Sequence, residues 1–81
     1  MKFGTTEFIL EESKKPLFTR VSYFVKEDIL TSFIDSLVTI SLDFTDSEEE
    51  AKESYNNILK EYTEDFDILR RSFLDYLKHI I

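Results

Sequence analysis

Nine consecutive residues, Leu17-Phe18-Thr19-Arg20-Val21-Ser22-Tyr23-Phe24-Val25, decide the fold class of this chain, because they satisfy two periodicities at once. At period two, Leu17, Val21, Tyr23 and Val25 share a face on which only Thr19 is polar, the pattern of a half-buried strand. At the helical period, Leu17, Phe18, Val21, Val25, Ile29, Phe33 and Leu37 form one stripe, and a single long helix would start at Pro16. Thr, Val, Ser, Tyr and Phe are mediocre helix formers, and most of them favour strands, so the strand reading is preferred. Residues 3–11 then supply the preceding strand, with Phe8 and Leu10 on one face. Lys14-Lys15-Pro16 is the connecting loop, since proline biases Lys15 toward an extended backbone.

Downstream the pattern is helical. Ile29, Leu30, Phe33, Ile34, Leu37 and Val38 recur with helix spacing, and Glu27-Asp28 favour the positive end of that helix. The stripe breaks between Asp43 and Ser47. Thr45 with Glu48, or Asp46 with Glu49, can form a capping box for the next helix. Ala51, Tyr55, Ile58, Leu59 and Tyr62 are its buried side. Thr63 marks a cap or break, Glu64 and Asp65 fall in the first turn of a last helix, and Phe66, Leu69, Phe73, Leu77 and Ile80 form its stripe. The expected fold is a single α+β domain over residues 1–81, an N-terminal β-hairpin followed by three α-helices. The alternative is an all-α bundle with one long helix from about residue 16. In the hairpin, Phe18 and Phe24 point away from Val21 and Tyr23. Because an isolated hairpin is only marginally stable, these two aromatics predict either a homodimer interface or an apolar docking face.

The 81 residues contain no cysteine, which excludes disulfide scaffolds, zinc fingers, thiol catalysis and iron–sulfur sites. Apolar runs reach only three residues, as in Phe8-Ile9-Leu10, against roughly 20 for a bilayer span. Met1-Lys2-Phe3-Gly4-Thr5-Thr6-Glu7 lacks the features of a signal peptide, so a cytoplasmic location (the host's cytoplasm, if the protein is viral) without membrane contact is expected. The formal charge of −7 argues against direct nucleic-acid binding.

That charge is unevenly distributed. Between Asp43 and Asp67 lie ten acidic residues opposed only by Lys52 and Lys60, while the rest of the chain is nearly neutral. On a helical wheel Asp46, Glu49, Glu50 and Glu53 fall opposite the Ala51, Tyr55, Ile58 and Tyr62 face, and Glu61, Glu64 and Asp65 extend the acidic zone. Acid in a first turn complements the helix macrodipole, and a charged face keeps a small protein dissolved. The dipole accounts for Glu48 to Glu50 but not for Glu53, Glu61 or the later cluster. The functional expectation is a non-enzymatic protein that docks these seven carboxylates on a basic surface of a partner protein, such as one that binds nucleic acid. Its most specific form is an inhibitor of the nucleic-acid-mimic, anti-defence or immunity kind carried by viruses and mobile elements, an expectation resting on size and charge alone. The alternative is a homo-oligomeric structural or assembly protein using the hairpin edge with Phe18 and Phe24.

Catalytic constellations are weak, and neither a cofactor nor a metal is expected. His79 is the sole histidine; Asp75 four residues earlier can orient it, yet no Gly-x-Ser-x-Gly nucleophile is present. Paired carboxylates for glycoside hydrolysis lack a Trp platform. The Asp43-Phe44-Thr45-Asp46-Ser47-Glu48 stretch lacks the glycine and alternation of a calcium loop. A glycine-rich phosphate cradle is excluded, because the one glycine is Gly4. The cations Lys15, Arg20, Arg70 and Arg71 are separated in sequence, and only the fold can gather them.

Overall fold

The computed structural model of the chain describes residues 2–80 and contains five helices in order: α1 (Thr6–Ser13), α2 (Pro16–Ser22), α3 (Glu27–Asp43), α4 (Glu48–Glu64) and α5 (Phe66–Ile80). No strand occurs among the described residues, so the fold is all-α and the expected N-terminal hairpin is absent. The α+β expectation fails at Pro16. Lys15 is extended as expected, but it is the N-cap of α2 and Pro16 occupies the first helical turn, where its missing N–H would lack a partner anyway and its fixed φ suits the helix.

Burial explains why residues 17–22 are helical despite their composition. Helix propensities of ordinary residues differ by at most ~0.7 kcal/mol, whereas burying one large apolar side chain contributes ~1.5–3 kcal/mol. Phe18 and Val21, three apart on one face of α2, are both sealed in the core. The polar residues are accommodated locally: Thr19 Oγ1 donates to the Pro16 carbonyl at 2.9 Å and Ser22 Oγ to that of Thr19 at 2.7 Å. The long-helix alternative also needs correction, since the chain is helical on both sides but leaves the helix at residues 23–26. α3 restarts at Glu27, with Glu27 and Asp28 in its first turn.

α3 is the central element. It packs against α1, α2 and α4, and buries Leu30, Phe33, Ile34, Leu37, Val38 and Ser41. Two aromatic clusters tie the other elements to this core. Phe3, Phe8 and Tyr55 meet edge-to-face with centroids 5.0–5.7 Å apart, joining the N-terminus to α4. Phe33, Phe73 and Tyr76 join α3 to α5. Gly4 lets the N-terminal segment fold back: its φ of 85° lies in the left-handed region, and a Cβ there would sit 3.3 Å from Val38 Cγ1.

α4 begins with a variant of the capping box, one residue beyond the expected Asp46–Glu49 pair and two beyond Thr45–Glu48. Ser47 is the N-cap and its Oγ accepts from the Glu50 N–H at 3.2 Å, while Glu50 Oε2 accepts from the Asp46 N–H at 3.3 Å. Thr45 belongs to the end of α3, donating to the Ser41 carbonyl at 2.7 Å. Glu64 closes α4 rather than opening α5, and Asp65 alone links the two helices, its Oδ1 accepting from the Asp67 N–H at 3.0 Å.

Two substitutions test this architecture. Phe18→Ala should destabilise the chain by about 3–5 kcal/mol in urea denaturation, whereas an outward-facing Phe18 would give a change near zero. Ser47→Ala should cost about 1 kcal/mol by removing the α4 cap.

Candidate docking surface

α4 presents the acidic face. Its inner side buries Ala51, Tyr55, Leu59 and Tyr62, with Ile58 half-buried, so the opposite side is held in solvent. Asp46, Glu49, Glu50, Glu53, Glu61, Glu64 and Asp65 are all exposed. The ion pairs among the described residues are Lys14–Glu11, Lys15–Glu12 and Arg70–Asp67. None of the seven carboxylates is paired within 4.0 Å with a cation among the described residues.

The face is not a continuous ridge. With Ala51 as origin, Glu49, Glu53, Lys60 and Glu64 fall within roughly 160–220° around the helix, flanked by Asn56 and Asn57. Glu53 and Glu61 are separated by ~12 Å along the axis, and the amides and Lys60 occupy the interval. Two acidic patches result: Asp46, Glu49, Glu50 and Glu53 at the start of α4, and Glu61, Glu64 and Asp65 at its end. Glu50 and Asp65 also serve the helix ends described above, whereas the carboxylates of Asp46, Glu49, Glu53, Glu61 and Glu64 have no hydrogen-bonding role among the described residues.

The two aromatics expected on a shared outward face are separated by the fold. Phe18 has 0% exposure and is unavailable to a partner; Phe24 is 62% exposed in the α2–α3 connection, beside Tyr23 at 88%. Next to Phe24 lies a small groove of about 150 Å³ lined by Val21, Val25, Phe66, Phe73, Leu74 and Leu77, with Arg70 at its edge. His79 is exposed near the end of α5 and shares a groove with Asp75, Tyr76 and Tyr62. The described residues hold no group of three His, Cys, Asp or Glu side chains arranged to bind a metal, and none of their helices is long and apolar enough to cross a membrane.

A larger groove, missed by reading charge along the sequence, opens between α2 and α4. It measures about 470 Å³ and is lined by Lys15, Pro16, Leu17, Arg20, Asn56, Leu59, Lys60 and Thr63. The fold thus gathers Lys15 and Arg20 with Lys60, and leaves Arg70 on the Phe24 groove.

Inside the molecule, Glu12 and Tyr55 form an unusual pair. Glu12 Oε2 holds Lys15 Nζ at 2.9 Å, while Glu12 Oε1 and the Tyr55 hydroxyl are buried near one another with no partner at good hydrogen-bond geometry among the described residues. Burial pushes the Tyr55 hydroxyl far above its ordinary pKa, and the neighbouring Glu12 carboxylate adds to this. Burial also raises Tyr62, against a smaller opposing effect of Ser72. The chain matches no known protein family, no curated protein and no solved structure.

The buried hydroxyl has a pH consequence. A folded-state pKa above the unfolded value of ~10 stabilises the protein fully below that pH and progressively less above it. Tyr55→Phe removes the hydroxyl that burial and the Glu12 carboxylate hold neutral, so it should lose less stability than the parent between pH 10 and 11.5 in chemical denaturation.

Proposed function

We infer that this chain is a non-enzymatic interaction protein that docks the α4 carboxylates on a basic surface of a partner protein. The observation that carries the reading is the solvent-facing set of carboxylates with no cation of the described residues paired to them. A salt bridge already satisfied within the chain would have to break before docking; these carboxylates exchange only water. Opposed charges speed encounter and make binding fall with salt. The start of α4 is the centre of the proposed surface, since Glu49 and Glu53 lie one turn apart on the outermost line of the helix. In its most specific form the partner surface is one that otherwise binds nucleic acid, and the protein acts as an antagonist.

A second reading draws on the exposed Tyr23 and Phe24 beside the apolar groove at α5. There the acid is a solubilising face, and Phe24 mediates self-association or docking on an apolar surface. Phe18 has no part in it.

Affinity capture from the native cell, eluted along a salt gradient, separates the readings. Under the first, a basic protein elutes as salt rises, and Glu49→Lys/Glu53→Lys/Glu64→Lys loses it while the Tm moves little. Glu50 is left intact in that variant because its carboxylate caps α4. Retention of the same protein at full strength by the triple variant refutes the first reading. A dimer by light scattering that Phe24→Asp abolishes, with salt-insensitive capture, establishes the second.

A further inference from the structure

We propose that the α2–α4 groove is a binding site for a compact organic anion, a molecule with one sulfonate, carboxylate or phosphate group on an apolar body. Its volume of about 470 Å³ is that of small-molecule sites, which combine an apolar lining with a few convergent polar groups. Leu17, Leu59 and Pro16 supply the apolar surface, and Lys15, Arg20 and Lys60 converge on it from two helices. Asn56 adds an amide able to donate a hydrogen bond.

The charge balance identifies the ligand. Lys15 is already neutralised by Glu12, at 2.9 Å. Arg20 and Lys60 have no carboxylate within 4.0 Å among the described residues, in a chain of net charge −7 with acid to spare. The Arg20 guanidinium lies over the Phe66 ring, 3.9 Å from its centroid, a contact that holds the side chain while leaving its edge N–H groups free to donate. Two cations without counter-charges beside an apolar floor favour a ligand with an anionic head and an apolar body.

Size follows from the neighbours of Lys60. On α4 it is followed by Glu64 four residues on, ~6 Å away along the axis, and preceded by Glu53, ~10 Å away. An acidic peptide or a nucleic-acid strand running along α4 would meet these carboxylates on both sides. A compact anion meets only the groove.

Three probes test the site by ¹H–¹⁵N chemical-shift titration: 1-naphthalenesulfonate, sulfate alone, and uncharged 1-naphthol. The sulfonate should bind saturably and shift the amides of Leu17, Arg20, Asn56 and Lys60, with sulfate and naphthol each weaker by on the order of tenfold. Arg20→Gln/Lys60→Gln should weaken the sulfonate by a similar factor. Lys60→Gln alone, at an exposed position, should weaken it with no change in Tm. Equal binding of naphthol, shifts centred on Phe24 and Leu74 instead, or undiminished binding in Lys60→Gln and the double variant would each overturn the proposal.

Discussion

Everything α4 can present outward is fixed by what it buries inward. Ala51, Tyr55, Leu59 and Tyr62 lock the rotation of this helix against the body of the protein, because turning it by even one residue position, ~100°, would expose two tyrosines and bury carboxylates. Tyr55 anchors it most firmly, through edge-to-face contacts with Phe3 and Phe8. The outward line through Glu49, Glu53, Lys60 and Glu64 is thereby held in one orientation, and both surfaces with functional potential take their geometry from it.

The acidic concentration itself costs little. Glu49 and Glu53, four apart, repel by a few tenths of a kcal/mol, and the acid in the first turn regains a similar amount from the macrodipole. Stability therefore neither demands nor forbids the charge pattern. The carboxylates divide instead by local work: Glu50 closes the start of α4 and Asp65 turns the chain into α5, whereas the side chains of Glu49, Glu53 and Glu64 make no hydrogen bond or ion pair among the described residues. That division makes Glu49, Glu53 and Glu64 the positions where charge can be changed without disturbing a helix end.

The sequence was legible where one periodicity dominates. The α3 stripe from Leu30 to Val38 is buried as its spacing predicts, as are Ala51, Tyr55, Leu59, Tyr62, Leu69 and Phe73. It misled where two periods overlap. Residues 17–22 have strand-like composition, and only the core that receives Phe18 and Val21 decides for helix, a contribution that propensity cannot register. One local sign was present: a proline preceded by an extended residue opens helices as readily as it marks loops. Ser47-Glu48-Glu49-Glu50 likewise carries the capping-box pattern as clearly as the two pairs one and two residues earlier. Lys60 within the acidic line is visible on a wheel but hidden when charge is summed along the chain. That Lys15 and Arg20 gather with Lys60, rather than with Arg70 and Arg71, was not legible, since it depends on α2 lying beside α4.

The proposed acidic docking face and the cationic groove, on adjacent sides of one helix, are compatible because charge acts locally here. At physiological ionic strength the Debye length is ~8 Å, so an anion in the groove feels Arg20 and Lys60 at contact, while the patch at the start of α4 lies one such length or more away. Of the two acidic patches, only the one at the end of α4 lies within it, with Glu64 ~6 Å from Lys60 along the axis. The net charge of −7 then governs solubility and long-range encounter, slowing the approach of anions and hastening that of a basic protein. Affinity at each surface is set by the groups within a turn or two of it. Lys60, standing between Glu53 and Glu64, belongs to both surfaces: it interrupts the acidic line on one side and completes the cationic groove on the other.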